Sequence, residues 1–179
     1  NESKSKAIPP SPIISCLGKL KNVNKSIGSS FISTESNIIL VGERRNELGG
    51  SVYYELNNEL GKNVPKPDLG EVKSQIFALI DCIKSGLILS CHDISDGGIA
   101  CALSEMTFKN QIGADINIDS ELREDQALFS ETGGFLLEIE KSSLIKVRST
   151  FSNYGLNVFK IGKTNNSNQL IINKCINIS

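Results

Sequence analysis

Between Asp68 and Phe108 the sequence runs helix, glycine, apolar strand, glycine-rich polar turn and second helix with almost no residue between them. That succession confines the chain to folds that lay helices on a sheet. Asp68 is placed to cap the first helix, and Glu71 stands at the capping-box position. Leu69, Val72, Ile76, Leu79 or Ile80, and Ile83 recur at helical spacing, which predicts a helix over residues 69–85 with these side chains inward. Gly86 supplies its stop. Residues 87–91 form a short apolar run, predicting a buried strand. The polar stretch His92-Asp93-Ile94-Ser95-Asp96-Gly97-Gly98 predicts a turn. Ile99, Leu103 and Met106 then mark the inward face of a helix over residues 99–108, whose Ala100, Cys101 and Ala102 are small enough to pack closely on a sheet.

The flanks continue the alternation. Short runs rich in β-branched residues predict strands at 13–17 and 37–42, and further short segments read as strands at 114–118, 135–140, 156–161 and 169–172. Residues 52–60 and 142–151 read as helices, the latter with Leu144, Val147 and Phe151 inward. Mixed hairpin and crossover connections point to an α+β fold, an α/β sandwich in which helices cover a mixed sheet. Ala7-Ile8-Pro9-Pro10-Ser11-Pro12 predicts a stiff extended connector. The expected division is therefore a linker over 1–12, following an upstream domain, and one domain over 13–179. The start at Asn1 within a polar run reads as a cut inside a longer protein.

Composition narrows the function. A net charge of −1 with no basic stretch argues against a nucleic-acid partner. No apolar run approaches the roughly 20 residues of a membrane span. Five cysteines, an odd number without CxxC spacing, sit mostly in apolar stretches, which suggests reduced thiols and a cytoplasmic setting. His92 is the only histidine and has no ligand cluster beside it, so no metal ligands are assigned.

Chemistry concentrates at three glycine-bearing segments. Residues 92–98 join a strand to a helix, where free N–H groups and the helix dipole favour an anion. His92, Asp93, Ser95, Asp96, Gly97 and Gly98 are the residues expected nearest a ligand, although the two aspartates would need a cation or Mg²⁺ beside a phosphate. The same residues also suit a plain helix cap and tight turn. Gly49, Gly50 and Ser51 precede a helix, and Ser130 and Glu131 lead a turn into a strand. These five are secondary candidates, with turn geometry as the alternative. Cys91 and His92 are neighbours in an extended segment and point to opposite faces, so they do not make a nucleophile–base pair.

In order and spacing these segments resemble the phosphoribosylformylglycinamidine synthases. Glu47-Leu48-Gly49-Gly50-Ser51 is similar to that family's E-L-G-G-S, Pro65-Lys66-Pro67-Asp68-Leu69 to its P-x-x-D-L, and residues 92–98 to H-D-V-S-D-G-G. Ala102-Leu103-Ser104-Glu105-Met106 resembles A-L-A-E-M, and Leu128-Phe129-Ser130-Glu131 matches L-F-S-E. After Glu131, however, Thr132-Gly133-Gly134 replaces the usual S-Q-x-R, so that family Gln and Arg are missing. The resemblance implies the fold of the aminoimidazole ribonucleotide synthetase C-terminal domain. It also implies membership of an ATP-dependent purine-pathway ligase that turns formylglycinamide ribonucleotide, ATP and glutamine-derived ammonia into formylglycinamidine ribonucleotide, ADP and phosphate. ATP and Mg²⁺ would bind mainly outside this chain, and no catalytic residue would lie within it. Implied partners are N-terminal synthetase domains, a glutaminase subunit or domain, a small bridging subunit and, for the isolated chain, a second copy. Two other readings stay open at this point: a non-catalytic binding module of the same superfamily, and a phosphotransferase like thiamine-phosphate kinase.

Overall fold

A computed structural model describes residues 14–179 and the backbone of two paired two-residue strands, β1 (Glu2–Ser3) and β2 (Lys6–Ala7). The proline-rich connector lies almost wholly outside the described residues. From residue 14 the elements are β3 (Asn37–Val41), α1 (Val52–Leu56), α2 (Leu69–Lys84), β4 (Ser90–Asp93), α3 (Gly98–Thr107) and β5 (Gly113–Ile116). They are followed by α4 (Glu124–Phe129), β6 (Phe135–Ile139), α5 (Leu144–Ser152), β7 (Val158–Asn165), β8 (Leu170–Ile172) and β9 (Ile176–Ile178). The larger sheet is mixed, in the order β4-β6-β3-β7-β5-β8-β9. Its neighbours are antiparallel except β5 and β8, which run parallel.

Strand β3 shows how the sheet divides two cores. All five of its residues are buried. Ile38 and Leu40 join the cluster under α3 and α4, whereas Ile39 and Val41 join the cluster under α2 and α5. Period-2 alternation on a central strand sends every second side chain to each layer, and each such burial contributes about 1.5–3 kcal/mol. Helix α3 buries Ile99, Leu103 and Met106 as its sequence predicts.

Helix α2 is capped as expected: the Asp68 carboxylate accepts from the amides of Gly70 and Glu71 at 2.8 and 3.0 Å. Glu71 turns instead to Arg45 and Gln75. The buried stripe differs from the predicted one. Gln75, Ala78, Leu79 and Cys82 are inward, while Leu69, Ile76 and Ile80 are exposed. Ala78 and Cys82 are small side chains that fit against the sheet in the cluster with Ile39, Val41, Leu137 and Ile139.

Other boundaries also move. Residues 14–17 form no strand, and Ile14 and Leu17 are exposed; an apolar run without a neighbouring strand has nothing to pair with. Helix α1 ends at Leu56 rather than residue 60, because Asn58 and Gly61 take positive φ. Strand β4 begins at Ser90 and includes His92 and Asp93, since pairing with β6 continues to Phe135. Helix α4 and strand β9 have no counterpart in the predicted elements.

A buried carboxylate fastens the segment before β3. Glu138 on β6 is 0% exposed and accepts from the Ile32 and Ser33 amides at 2.9 Å each and from the Ser36 and Ser90 hydroxyls at 2.8 Å each. The Ser90 hydroxyl and the two amides have this carboxylate as their partner, whereas the Ser36 hydroxyl also meets Thr164 Oγ1 at 2.7 Å.

Candidate functional site at one end of the sheet

Strand direction gathers every segment singled out above. Strands β3, β4 and β5 run one way and β6 and β7 the other. The segments following β3, β4 and β5 and those preceding β6 and β7 therefore share one end of the sheet. Residues 42–51, 94–97 and 130–134 lie side by side there because β4, β6 and β3 are adjacent.

The 130–134 segment is the clamp between the other two. Glu131 Oε1 accepts from the Val52 amide at the start of α1 and from the Gly97 amide at the start of α3, each at 2.9 Å. One carboxylate thus sits at two helix N-termini, where negative charge is favoured. The Ser130 hydroxyl accepts from the Glu47 amide at 3.2 Å, and the Gly134 carbonyl accepts from the Ile94 amide at 2.9 Å. Gly134, at φ +111°, passes so close to the Val41 carbonyl that a Cβ would stand 2.3 Å from its oxygen. Stacking of Tyr53 on Phe129, with ring centroids 4.6 Å apart, holds α1 against α4.

Each predicted residue has a definite place. His92 is held from both sides: Nε2 lies 2.9 Å from a Glu105 carboxylate oxygen, and Nδ1 donates to the Asp93 carbonyl at 2.7 Å. With its side chain 15% exposed, both ring nitrogens face acceptors within the chain. Cys91 packs towards α2 and α5, where burial pushes its thiol up to about 12. Asp93, Ser95 and Asp96 are the exposed members of the turn, and Gly97 and Gly98 are buried. A Cβ at Gly97 would meet Cys101 Sγ at 2.3 Å, and one at Gly98 would meet the Leu128 carbonyl oxygen at 2.7 Å. Gly98 permits close packing of α3 on α4, and Gly97 leaves room for Cys101 in the first turn of α3. Gly49 packs against Asn63, Gly50 faces open space, and Ser51 caps α1 through the Tyr54 amide.

Sequence reasoning did not single out Glu105, Arg44 or Thr132. Glu105 lies on α3, and its partnership with His92 could have been sought one strand–turn–helix unit downstream. Arg44 carried no local signal, because what buries it includes a loop 89 residues away: its Nη2 donates to the Gly133 carbonyl at 2.8 Å. Desolvation holds the Arg44 guanidinium down to about 10, with Glu47 opposing the shift. Arg44 Nε and Nη1, Glu47 Oε2 and Thr132 Oγ1 are the buried side-chain polar atoms without a hydrogen-bond partner among the described residues, and all belong to this sheet end. No group of three or more His, Cys, Asp and Glu among the described residues could hold a metal ion. No helix of the described residues is long and apolar enough to cross a membrane.

Known proteins match this arrangement. Residues 34–174 match the family of the AIR synthase related protein, C-terminal domain. The phosphoribosylformylglycinamidine synthase subunit PurL of Methanothrix thermoacetophila is 34% identical over 165 residues, which is 90% of this chain and 22% of the relative. That of Prochlorococcus marinus is 35% identical over 187 residues, 96% of this chain and 24% of the relative. The chain thus spans about a quarter of the length of these curated relatives. Among solved structures, Thermotoga maritima PurL complexed with FGAR superposes with a TM-score of 0.75 at 14% identity, covering 87% of this chain and 29% of that one. The HypE–HypF complex contains a similar chain, with a TM-score of 0.59 at 17% identity, covering 82% of this chain and 52% of that one. The fold of the mixed sheet, the loops gathered at its end and the family match agree: the chain belongs to the AIR synthase related protein C-terminal domain family.

Proposed function

We propose that the chain serves as the C-terminal synthetase domain of a phosphoribosylformylglycinamidine synthase. The observation that carries this reading is the 34% identity over 90% of the chain to a PurL subunit. In this reading residues 1–12 lead from an upstream synthetase domain and 13–179 form the domain itself. The parent enzyme converts formylglycinamide ribonucleotide, ATP and glutamine-derived ammonia to formylglycinamidine ribonucleotide, ADP and phosphate, in the cytoplasm.

The sheet end faces the ligand. Asp93, Ser95 and Asp96 present exposed polar groups, while His92, Gly97, Gly98, Gly49, Ser51, Ser130 and Glu131 hold the loops in place, and Gly50 faces open space. Thermotoga maritima PurL has been solved with ATP and with ADP. The residues here fit only part of a nucleotide–magnesium site. In this reading they offer the exposed Asp93 and Asp96 to a site that lies mainly in other domains. An ATP bound there supplies the phosphoryl group that activates the substrate's amide oxygen. This chain's part is to position Asp93 and Ser95 against the nucleotide's polar groups.

Val52, Leu56, Leu60 and Val64, in α1 and the segment after it, are exposed apolar residues. The missing synthetase domains cover them, and the isolated chain self-associates through them as a homodimer. A glutaminase and a small bridging subunit complete the assembly, as the existence of a PurLQS complex in Thermotoga maritima supports. Two experiments test the reading. Substituting this chain for the matching segment of a full-length relative should preserve amidine formation, and an inactive but folded chimera would refute it. The purified chain should turn over no ATP; magnesium-dependent hydrolysis abolished by Asp96→Asn would instead identify a phosphotransferase.

A further inference from the structure

The residues following β3 carry a largely buried guanidinium that, among the described residues, has no counter-ion in contact. Among the described residues Arg44 makes one hydrogen bond, from Nη2 to the Gly133 carbonyl, and its Nε and Nη1 have no partner. Glu47 acts on it electrostatically, yet its Oε1 accepts from the Lys66 amide and its Oε2 is unpaired. Thr132 Oγ1, next to Gly133, is unpaired too. A guanidinium withdrawn from water ordinarily keeps an anionic oxygen against it, because an unpaired buried charge is among the most expensive arrangements in a protein. This one remains charged at neutral pH, since burial brings it down only to about 10.

Arg44 also forms part of the wall of a cleft of about 750 Å³ at the β3, β5 and β7 end of the sheet. That volume suits a small ligand. Arg148 of α5 and Lys160 of β7 line the same cleft, both exposed and, among the described residues, in no ion pair. Asp119 and Glu121, following β5, and Glu43 line it as well, and Phe159 contributes a half-exposed ring.

We propose that this cleft is a binding site, anchored by Arg44, for a small molecule that joins an oxyanion, phosphate or carboxylate, to hydrogen-bond donors on a carbon skeleton. Arg44, Arg148 and Lys160 answer the oxyanion. The three carboxylates accept from hydroxyls or amines, and the Phe159 ring covers the skeleton. Nε and Nη1 are sealed in the chain as it stands, so binding turns the guanidinium towards the cleft and gives up the single bond to Gly133. A phosphate or carboxylate returns more than one charge-assisted bond to the fork. The site is separate from the turn after β4 and does not depend on the ligase reading.

The test titrates ribose 5-phosphate, with ribose as its uncharged control, into the isotopically labelled chain and follows arginine Nε–H and backbone amide resonances. The expected result is a saturable shift of Arg44 Nε–H and of the amides of residues 117–121 with ribose 5-phosphate and none with ribose. Arg44→Lys should weaken binding about tenfold or more, since the fork's charge-assisted bonds are lost. Lys160→Gln should weaken it as well, and Arg45→Gln, which pairs with Glu71 outside the cleft, should not. Should Arg44→Lys fail to fold, the exposed Lys160→Gln decides alone, and unchanged affinity there overturns the proposal. Shifts confined to residues 95–98, or none at Arg44 and 117–121 at saturating probe, overturn it equally.

Discussion

Replacing Glu138 by alanine should be the most damaging single polar substitution in this domain, and the loss can be worked out from its bonds. The carboxylate accepts from the amides of Ile32 and Ser33 and the hydroxyls of Ser36 and Ser90, all at 2.8–2.9 Å, at a position 0% exposed. Alanine removes all four acceptors. The Ser36 hydroxyl keeps Thr164 Oγ1 at 2.7 Å and the Ser33 carbonyl at 3.2 Å, so it is not orphaned. The two amides and the Ser90 hydroxyl are. At about 1–3 kcal/mol for each unpaired buried group, and with partial relief by entering water, the expected loss is about 3–6 kcal/mol. That is a large share of the roughly 5–15 kcal/mol that stabilises a typical domain. Glu138→Gln keeps one acceptor oxygen but turns an NH₂ group towards two donors, so it should lose less, about 2–3 kcal/mol. Urea unfolding followed by circular dichroism measures both, provided the slope is unchanged. Amide exchange at Ile32 and Ser33 should accelerate in parallel. A loss below about 1 kcal/mol for the alanine variant would show that these donors have other acceptors and would refute the reasoning.

The clasp at the sheet end predicts that Glu131→Ala speeds amide exchange at Val52 and Gly97 together, with a loss of about 1 kcal/mol because water can reach this half-buried pair, while Glu131→Gln restores most of the protection. Unchanged exchange in the alanine variant would show that the carboxylate does not join the two turns. Native alkylation at pH 8 should label Cys16 and Cys175 quickly. Cys101 should react more slowly, because partial burial and the Glu105 and Glu131 carboxylates push its thiol up, and Cys82 and Cys91 should react only after unfolding. Fast native labelling of Cys91 would contradict its place against α2 and α5. The Asp68 carboxyl is held low by the amides of Glu71 and Gly70. A depressed carboxyl stabilises above its unfolded value, near pH 4, and ceases to as pH falls through the folded one. The stability gap between wild type and Asp68→Ala should therefore be full at pH 7 and narrow on acidification, and a gap constant down to pH 2 would remove the cap from the account.

What the sequence determined by itself was whatever depends on neighbours along the chain. The cap at Asp68, the stop at Gly86, the apolar period of α3, the β-branched run of β3 and the apolar run of β6 are local, and they appear within a residue or two of their predicted places. The glycine turns were legible as turns, and their motifs as a family. Tertiary structure decided the rest, because it depends on contacts between distant segments. Which face of α2 is buried was settled by the sheet beneath it, where Ala78 and Cys82 fit and Ile76 does not. The length of β4 was settled by its pairing with β6, which drew His92 and Asp93 out of the predicted turn. The run at 13–17 shows the converse, since the apolar residues Ile14 and Leu17 without a partner strand stay unpaired. The six-residue α4 is too short to display a period. The site followed the same division. Three turns are visible in one dimension, but the order β4-β6-β3 sets them side by side. A carboxylate at 131 that meets amides at 52 and 97, and a guanidinium at 44 buried by a loop near 133, are products of that order, for which no local pattern of residues is a sign.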